Sequence, residues 1–169
     1  MERRVQRELY DHRNSYELKT GIKLVLCCAN DLSRLVGTIP GPCGTPYEGG
    51  FYEIEIVLPG EYPYLPPKMR FITKVWHPNI SSQTGAICLD VLGRNWSPAQ
   101  TMVSTLISLQ ALLSTPEPND PQDAEVAKQY KDKHDEYVET ARSWVATFAQ
   151  PSKGEGPKNS TPVEDRIMG

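Results

Sequence analysis

Apolar and polar positions divide this chain into a short helical start, four extended segments, a long stretch without periodicity, and a helical second half. Over 2–13 the spacing predicts a helix. At about 100° per residue, Val5, Leu9, His12 and Tyr16 fall on one side, while Arg3, Arg4 and Arg7 share the opposite one. Ile22 to Ala29 reads as a strand bounded by Gly21 and by Asn30-Asp31, and its Cys27 and Cys28 read as strand-core residues. A second strand runs from Leu35 to Ile39 and stops at Pro40. Phe51 to Leu58 alternates with period two, with Tyr52, Ile54, Ile56 and Leu58 on one face and Glu53 and Glu55 on the other. Lys68 to Thr73 is a shorter fourth. The connections among the first three are too short for parallel crossovers, so the order predicts an antiparallel meander.

From Trp76 to Asn95 neither period holds, and ordered irregular backbone of that length inside a domain marks a functional stretch. Eight of the 15 prolines fall between Pro40 and Pro78, in pieces such as IPGPCGTP and YPYLPPK, where they make rigid, extended connections. After Pro98 the period becomes helical. Met102, Val103, Leu106, Ile107, Leu109, Leu112 and Leu113 leave little polar face, which predicts a helix buried centrally. EPNDP breaks it and Asp123 caps the next helix. Tyr137, Val138, Ala141, Trp144, Val145 and Phe148 mark the apolar side of a last one. Residues 1–149 therefore read as one α+β domain: a helix, a four-stranded antiparallel meander sheet, the functional stretch, then further helices. Residues 150–162 read as a polar linker, and 163–169 (VEDRIMG) as the start of another element.

Composition narrows the class. The 169 residues are 38% apolar and 23% charged, which fits a globular domain rather than a disordered chain. A net charge of −3 argues against nucleic acid as a partner. The longest wholly apolar run, Leu24 to Ala29, is far short of the about 20 residues a membrane span needs. With no apolar stretch behind Met1, the expected compartment is the reducing cytoplasm or the nucleus, and the expected state a monomer without a membrane partner. The cysteines at 27, 28, 43 and 88 form no CxxC pair and have no His at zinc-ligand spacing, so no metal site is expected.

The chemistry concentrates in His77-Pro78-Asn79, with Cys88 nine positions beyond Asn79 inside ICLD. The run KVWHPNISSQTGAICLDVL resembles the active-site stretch of ubiquitin-conjugating enzymes, and the likeness extends over roughly residues 1–149 through YEGGFY, YPYLPPK, WSPA and SLQALL. SLQALL, EPNDPQDAEVAKQY and RFITKVWHPNISS are similar to the huntingtin-interacting, yeast-type subclass, which carries a ubiquitin-associated domain after the catalytic one.

The resemblance implies that Cys88 accepts ubiquitin as a thioester and passes it to a lysine amine. Sulfur suits both steps, because a thiolate attacks well and leaves well. Attack by the amine creates an oxyanion, which needs a preorganised donor. The resemblance places the Asn79 amide there, while the residue's own chemistry also fits bracing of the loop. It makes His77 and Pro78 structural parts of the turn; a Cys–His hydrolase reading lacks a third, orienting residue. A lysine amine arrives protonated at neutral pH, and Asp120 matches the family's acidic residue for handling it; Asp90 is a weaker candidate. The family often has two acids where this chain has Asn119-Asp120.

By the same resemblance, Arg3, Arg4 and Arg7 face the activating enzyme and ligases, with Pro63 and Tyr64 in one loop and Pro98 and Ala99 in WSPA completing that surface. Tyr64 stands where many relatives have Phe. The implied partners are ubiquitin, its activating enzyme, ligases and protein substrates. No cofactor is implied for this chain, since ATP is used upstream by the activating enzyme. The subclass likeness suggests homotypic ubiquitin chains. Two alternatives remain at this stage: a conjugating enzyme for another ubiquitin-like modifier, and a non-catalytic binding module on the same fold, which would lack Cys88.

Overall fold

The computed structural model describes residues 1–88, 92–93 and 96–151. Elements follow in the order α1 (Glu2–Asp11), a π-helical turn (His12–Tyr16), α2 (Glu17–Thr20), β1 (Lys23–Cys28), β2 (Asp31–Pro40), β3 (Phe51–Val57), β4 (Lys68–Phe71), α3 (Met102–Ser114), α4 (Ala124–Asp132) and α5 (His134–Phe148). The first helical stretch thus runs on past residue 13 to Thr20, through a turn that the 3.6-residue period does not describe.

The strands pair in the order β1-β2-β3-β4, all antiparallel, as the short connections predict. Register places Leu35 opposite Ile56, Gly37 opposite Ile54, and Ile39 opposite Tyr52, so every inward residue of β2 meets an inward residue of β3. Met69 and Phe71 extend that face onto β4. Helix α3 packs against it. Met102, Leu106 and Leu109 are fully buried, and Leu106 lies so close to Gly37 that a Cβ there would come within 2.7 Å of it. Thr101 and Ser104 start this helix with a reciprocal capping box. Ile107, read as core, is exposed on the outer side of α3.

Two expectations need correction. Cys27 and Cys28 are exposed rather than core. Leu24 and Leu26 take the inward positions of this edge strand, so Cys27 follows Lys23 and Val25 outward; Cys28 sits where the β1–β2 register breaks. The β2 strand begins at Asp31, four residues ahead of its apolar run, because the tight hairpin pairs Asp31 with Cys28. Residues 163–169 and most of the 150–162 linker lie outside the described residues, as does Asp90. Among the described residues no helix is long and apolar enough to cross a membrane.

Candidate active site

The irregular stretch after β4 is held by short-range bonds rather than by a strand or helix. Its backbone makes isolated bridges, His77 with Ile80 and Ile80 with Ile87, and the Cys88 N–H donates to the Asn79 carbonyl at 3.2 Å. Gly85 makes the turn possible. It has φ of +75°, and a Cβ there would lie 1.9 Å from the Phe71 carbonyl oxygen. Phe71 N–H donates to the Gly85 carbonyl at 2.9 Å, tying the stretch to the end of β4. Upstream, the buried Tyr47 of YEGGFY donates its hydroxyl to the Trp76 carbonyl at 2.7 Å and meets the Tyr137 hydroxyl, so the entry to His77 is anchored in the core.

His77 is fully buried. Its Nδ1 accepts from the Asn79 backbone N–H at 3.0 Å, which leaves the proton on Nε2 to donate to the Leu112 carbonyl at 2.9 Å. Burial pushes its pKa down from 6.5 to about 4, so it is neutral near pH 7. Both ring nitrogens are spent on backbone groups, which is a turn-building role and not that of a general base.

Asn79 is 2% exposed and its amide is saturated. Oδ1 accepts from the Glu117 N–H at 2.8 Å, while Nδ2 donates to the carbonyls of Glu117 at 2.9 Å and Asp120 at 3.0 Å. The neighbouring Pro78 carbonyl accepts from Gln122 and Asp123 N–H at 2.9 and 3.0 Å. Together these bonds dock the loop between α3 and α4 onto the turn that precedes the cysteine. Asp123, read from sequence as a helix cap, does cap α4 through Val126 N–H at 3.2 Å. It also accepts from Ser82 N–H at 2.9 Å and Ser82 Oγ–H at 2.6 Å, a clamp that no periodicity announces. Burial pushes its carboxyl up, and the bonds from Ser82 and Val126 more than reverse this, leaving it below the usual value.

The result is a juxtaposition 32 residues apart in sequence: Cys88 Sγ lies 3.9 Å from Asp120 Oδ2. Cys88 is half-buried and Asp120 exposed, whereas Cys27, Cys28 and Cys43 are all exposed and far from this arrangement of loops in sequence. A thiol beside a carboxylate, both reachable from solvent, can take an acyl group and present it to an incoming amine.

The residues expected at the partner surface differ in their exposure. Arg3 and Arg7 are exposed, Tyr64 is 78% exposed, Pro98 and Ala99 are exposed and Pro63 is half-buried. Arg4 departs from the open basic face: its guanidinium turns inward to Glu8 and to the Gln100 carbonyl, both at 2.6 Å. The inward face of α1 is accordingly Val5 and Glu8, with Leu9 half-buried beside them, and the buried His12 continues it into the π-helical turn. A buried glutamate carries no apolar signal, so hydrophobic periodicity passes over Glu8.

Residues 4–145 match the family model described as ubiquitin-conjugating enzyme. The chain is 57% identical over 150 residues to ubiquitin-conjugating enzyme E2 27 of Arabidopsis thaliana, covering 88% of this chain and 77% of that one. It is 52% identical over 147 residues to ubiquitin-conjugating enzyme E2 K of Homo sapiens, covering 86% and 73%. A solved E2 domain of a Toxoplasma gondii ubiquitin-conjugating enzyme superposes with a TM-score of 0.82 at 51% identity, covering 88% of this chain and 99% of that one.

Proposed function

Since the chain belongs to the ubiquitin-conjugating enzyme family, we propose that Cys88 is the thiol that carries ubiquitin and that Asp120 receives the attacking lysine. Conjugation of ubiquitin is the activity; the residue roles are the proposal. The observation that carries it is the 3.9 Å approach of Cys88 Sγ to Asp120 Oδ2, held by the Asn79 amide. In the first step the Cys88 thiolate attacks the thioester of the charged activating enzyme. A new C–S bond forms at Cys88 and the donor thiolate leaves. In the second step a lysine amine attacks the Cys88 thioester, the C–N bond forms, and the Cys88 thiolate leaves. The carboxylate of Asp120 orients the ammonium and takes one proton before attack, which frees the nitrogen lone pair for the C–N bond; the proton the nitrogen then sheds passes to water as the Cys88 thiolate leaves. Asn79 is first a positioning residue, because one of its two Nδ2 bonds must open before that amide can donate to an oxyanion. Thiol, amide and carboxylate supply this chemistry, and ATP is spent by the activating enzyme.

Arg3, Arg7, Tyr64, Pro98 and Ala99 form the surface assigned to the activating enzyme and to ligases; their exposure on α1 and on two proline-bearing loops supports this. Membership of the subclass that carries a ubiquitin-associated domain and builds homotypic chains rests on SLQALL and EPNDPQDAEVAKQY.

The test is a loading reaction with ATP, activating enzyme and ubiquitin. The unaltered chain gives an adduct that a thiol reductant removes, Cys88→Ser gives a slower-forming adduct that resists it, and Cys88→Ala gives none. Loading that persists in Cys88→Ala refutes the assignment. Parallel mixtures with other ubiquitin-like modifiers and their activating enzymes test the choice of ubiquitin.

A further inference from the structure

Glu8 is 5% exposed in the middle of α1, and a carboxylate that deeply buried needs partners. It has three. Arg4 Nε and the Tyr62 hydroxyl each donate to Oε1 at 2.6 Å, and the Met102 backbone N–H donates to Oε2 at 2.8 Å. The partners belong to three separate parts of the chain: α1, the proline loop before β4, and the start of α3. Each part continues directly into surface residues. Tyr62 is followed by Pro63 and Tyr64. The Tyr62 ring lies 5.8 Å from that of Trp96, whose Nε1 donates to the Pro63 carbonyl at 2.9 Å. Trp96 opens the turn that presents Pro98 and Ala99, and Arg4 Nη2 closes that turn by donating to the Gln100 carbonyl at 2.6 Å. Burial, reinforced by the Glu8 carboxylate, pushes the Tyr62 hydroxyl far above its ordinary value, so it stays a donor.

We infer that Glu8 is a positioning residue for partner recognition: its three bonds set the spacing of α1, the Tyr64 loop and the Pro98 turn, so that the activating enzyme meets them as one preformed face. The inference rests on the assignment of that face under Proposed function. A face held in place spares the partner the cost of ordering three loose segments, which appears in affinity rather than in the chemical step. Stability alone is a poor account of such a carboxylate, since buried ion pairs are often replaceable without loss of stability.

Two variants separate the roles. In Glu8→Gln the amide nitrogen replaces one acceptor oxygen: at the Oε1 position it faces the donors Arg4 and Tyr62, at the Oε2 position the Met102 N–H, so at least one of the three bonds opens whichever way the amide turns. Tyr62→Phe removes one hydroxyl bond and keeps the ring on Trp96. The measurement is the initial rate of ubiquitin loading by charged activating enzyme against the concentration of this chain, below each variant's melting temperature. Glu8→Gln is expected to raise KM about tenfold, the loss of one bond to a charged group, and Tyr62→Phe to raise it about threefold, with kcat within about twofold. The double variant should raise KM by less than the product of the two single effects, because both act through one carboxylate. KM unchanged in both single variants, with only the melting temperature lowered, overturns the inference, as does a fall in kcat at constant KM. An unaltered chain that does not load refutes the reading of the site instead, and does so before any variant is measured.

Discussion

Acid should loosen this domain through one ring. His77 is neutral in the folded state because its Nδ1 accepts from Asn79 and because burial holds its pKa near 4, against 6.5 when free. Below pH 6.5 the unfolded chain takes up a proton that the folded one refuses. The contribution of His77 is therefore full above about pH 6.5, declines as pH falls, and is lost as pH passes the folded value. The gap between the two values corresponds to about 3–4 kcal/mol, at about 1.4 kcal/mol per pH unit. His77→Asn isolates this term. Its Oδ1 can still accept from the Asn79 N–H, but it has no proton to take up and leaves the Leu112 carbonyl without its donor. At pH 7 the variant should be less stable, by about 1–3 kcal/mol for the orphaned carbonyl. Between pH 7 and pH 4 that deficit should shrink by about 3 kcal/mol. His12, whose burial lowers its pKa, and Asp123 are present in both chains and cancel in the difference. Urea unfolding followed by tryptophan fluorescence at half-unit pH steps measures it. Stabilities that fall in parallel across the range refute the reasoning.

Asn79→Ala strips the Glu117 N–H and two carbonyls of their partner; discharge of ubiquitin to free lysine should fall by about 10²–10³, the usual loss for one oxyanion donor, with loading less affected. The same variant should melt about 5 °C lower, and an unchanged melting curve would remove the bracing role. Asp120→Ala should slow discharge most near pH 7 and least near pH 9.5, since lysine titrates at about 10.4; a defect constant across single-turnover measurements would mean that the carboxylate shapes the site without handling the proton. Tyr64→Ala removes the most exposed aromatic of the proline loop and should weaken ligase-stimulated discharge about tenfold or more, as read from its dependence on ligase concentration.

The fold was legible where burial follows a simple period. Tyr52, Ile54, Ile56 and Leu58 alternate in sequence and all lie in the core, and the capped, almost wholly apolar α3 lies across them. Legibility failed where burial follows polar contacts. Glu8 faces inward because three donors await it, and Cys27 faces outward although it lies inside an apolar run. The site divides along the same line. Cys88, Asn79 and Asp120 could be named from their motifs, and the structure brings them together. The manner of their meeting could not be named, because it depends on the Asn79 amide bonding two carbonyls about 40 positions away and on Asp123 reaching back to Ser82. Hydrogen bonds between loops leave no periodic trace in a chain.

The mutual docking of the 77–88 stretch and the loop before α4 has a consequence for solvent exchange. The amides of Ser82, Glu117, Gln122 and Asp123 come from both loops, and each donates across this one contact. Opening the contact exposes all four without disturbing any rung of the sheet, so their deuterium uptake should proceed at one shared rate, faster than that of the β2–β3 ladder. That rate measures how often the neighbourhood of Cys88 is unlatched as a unit.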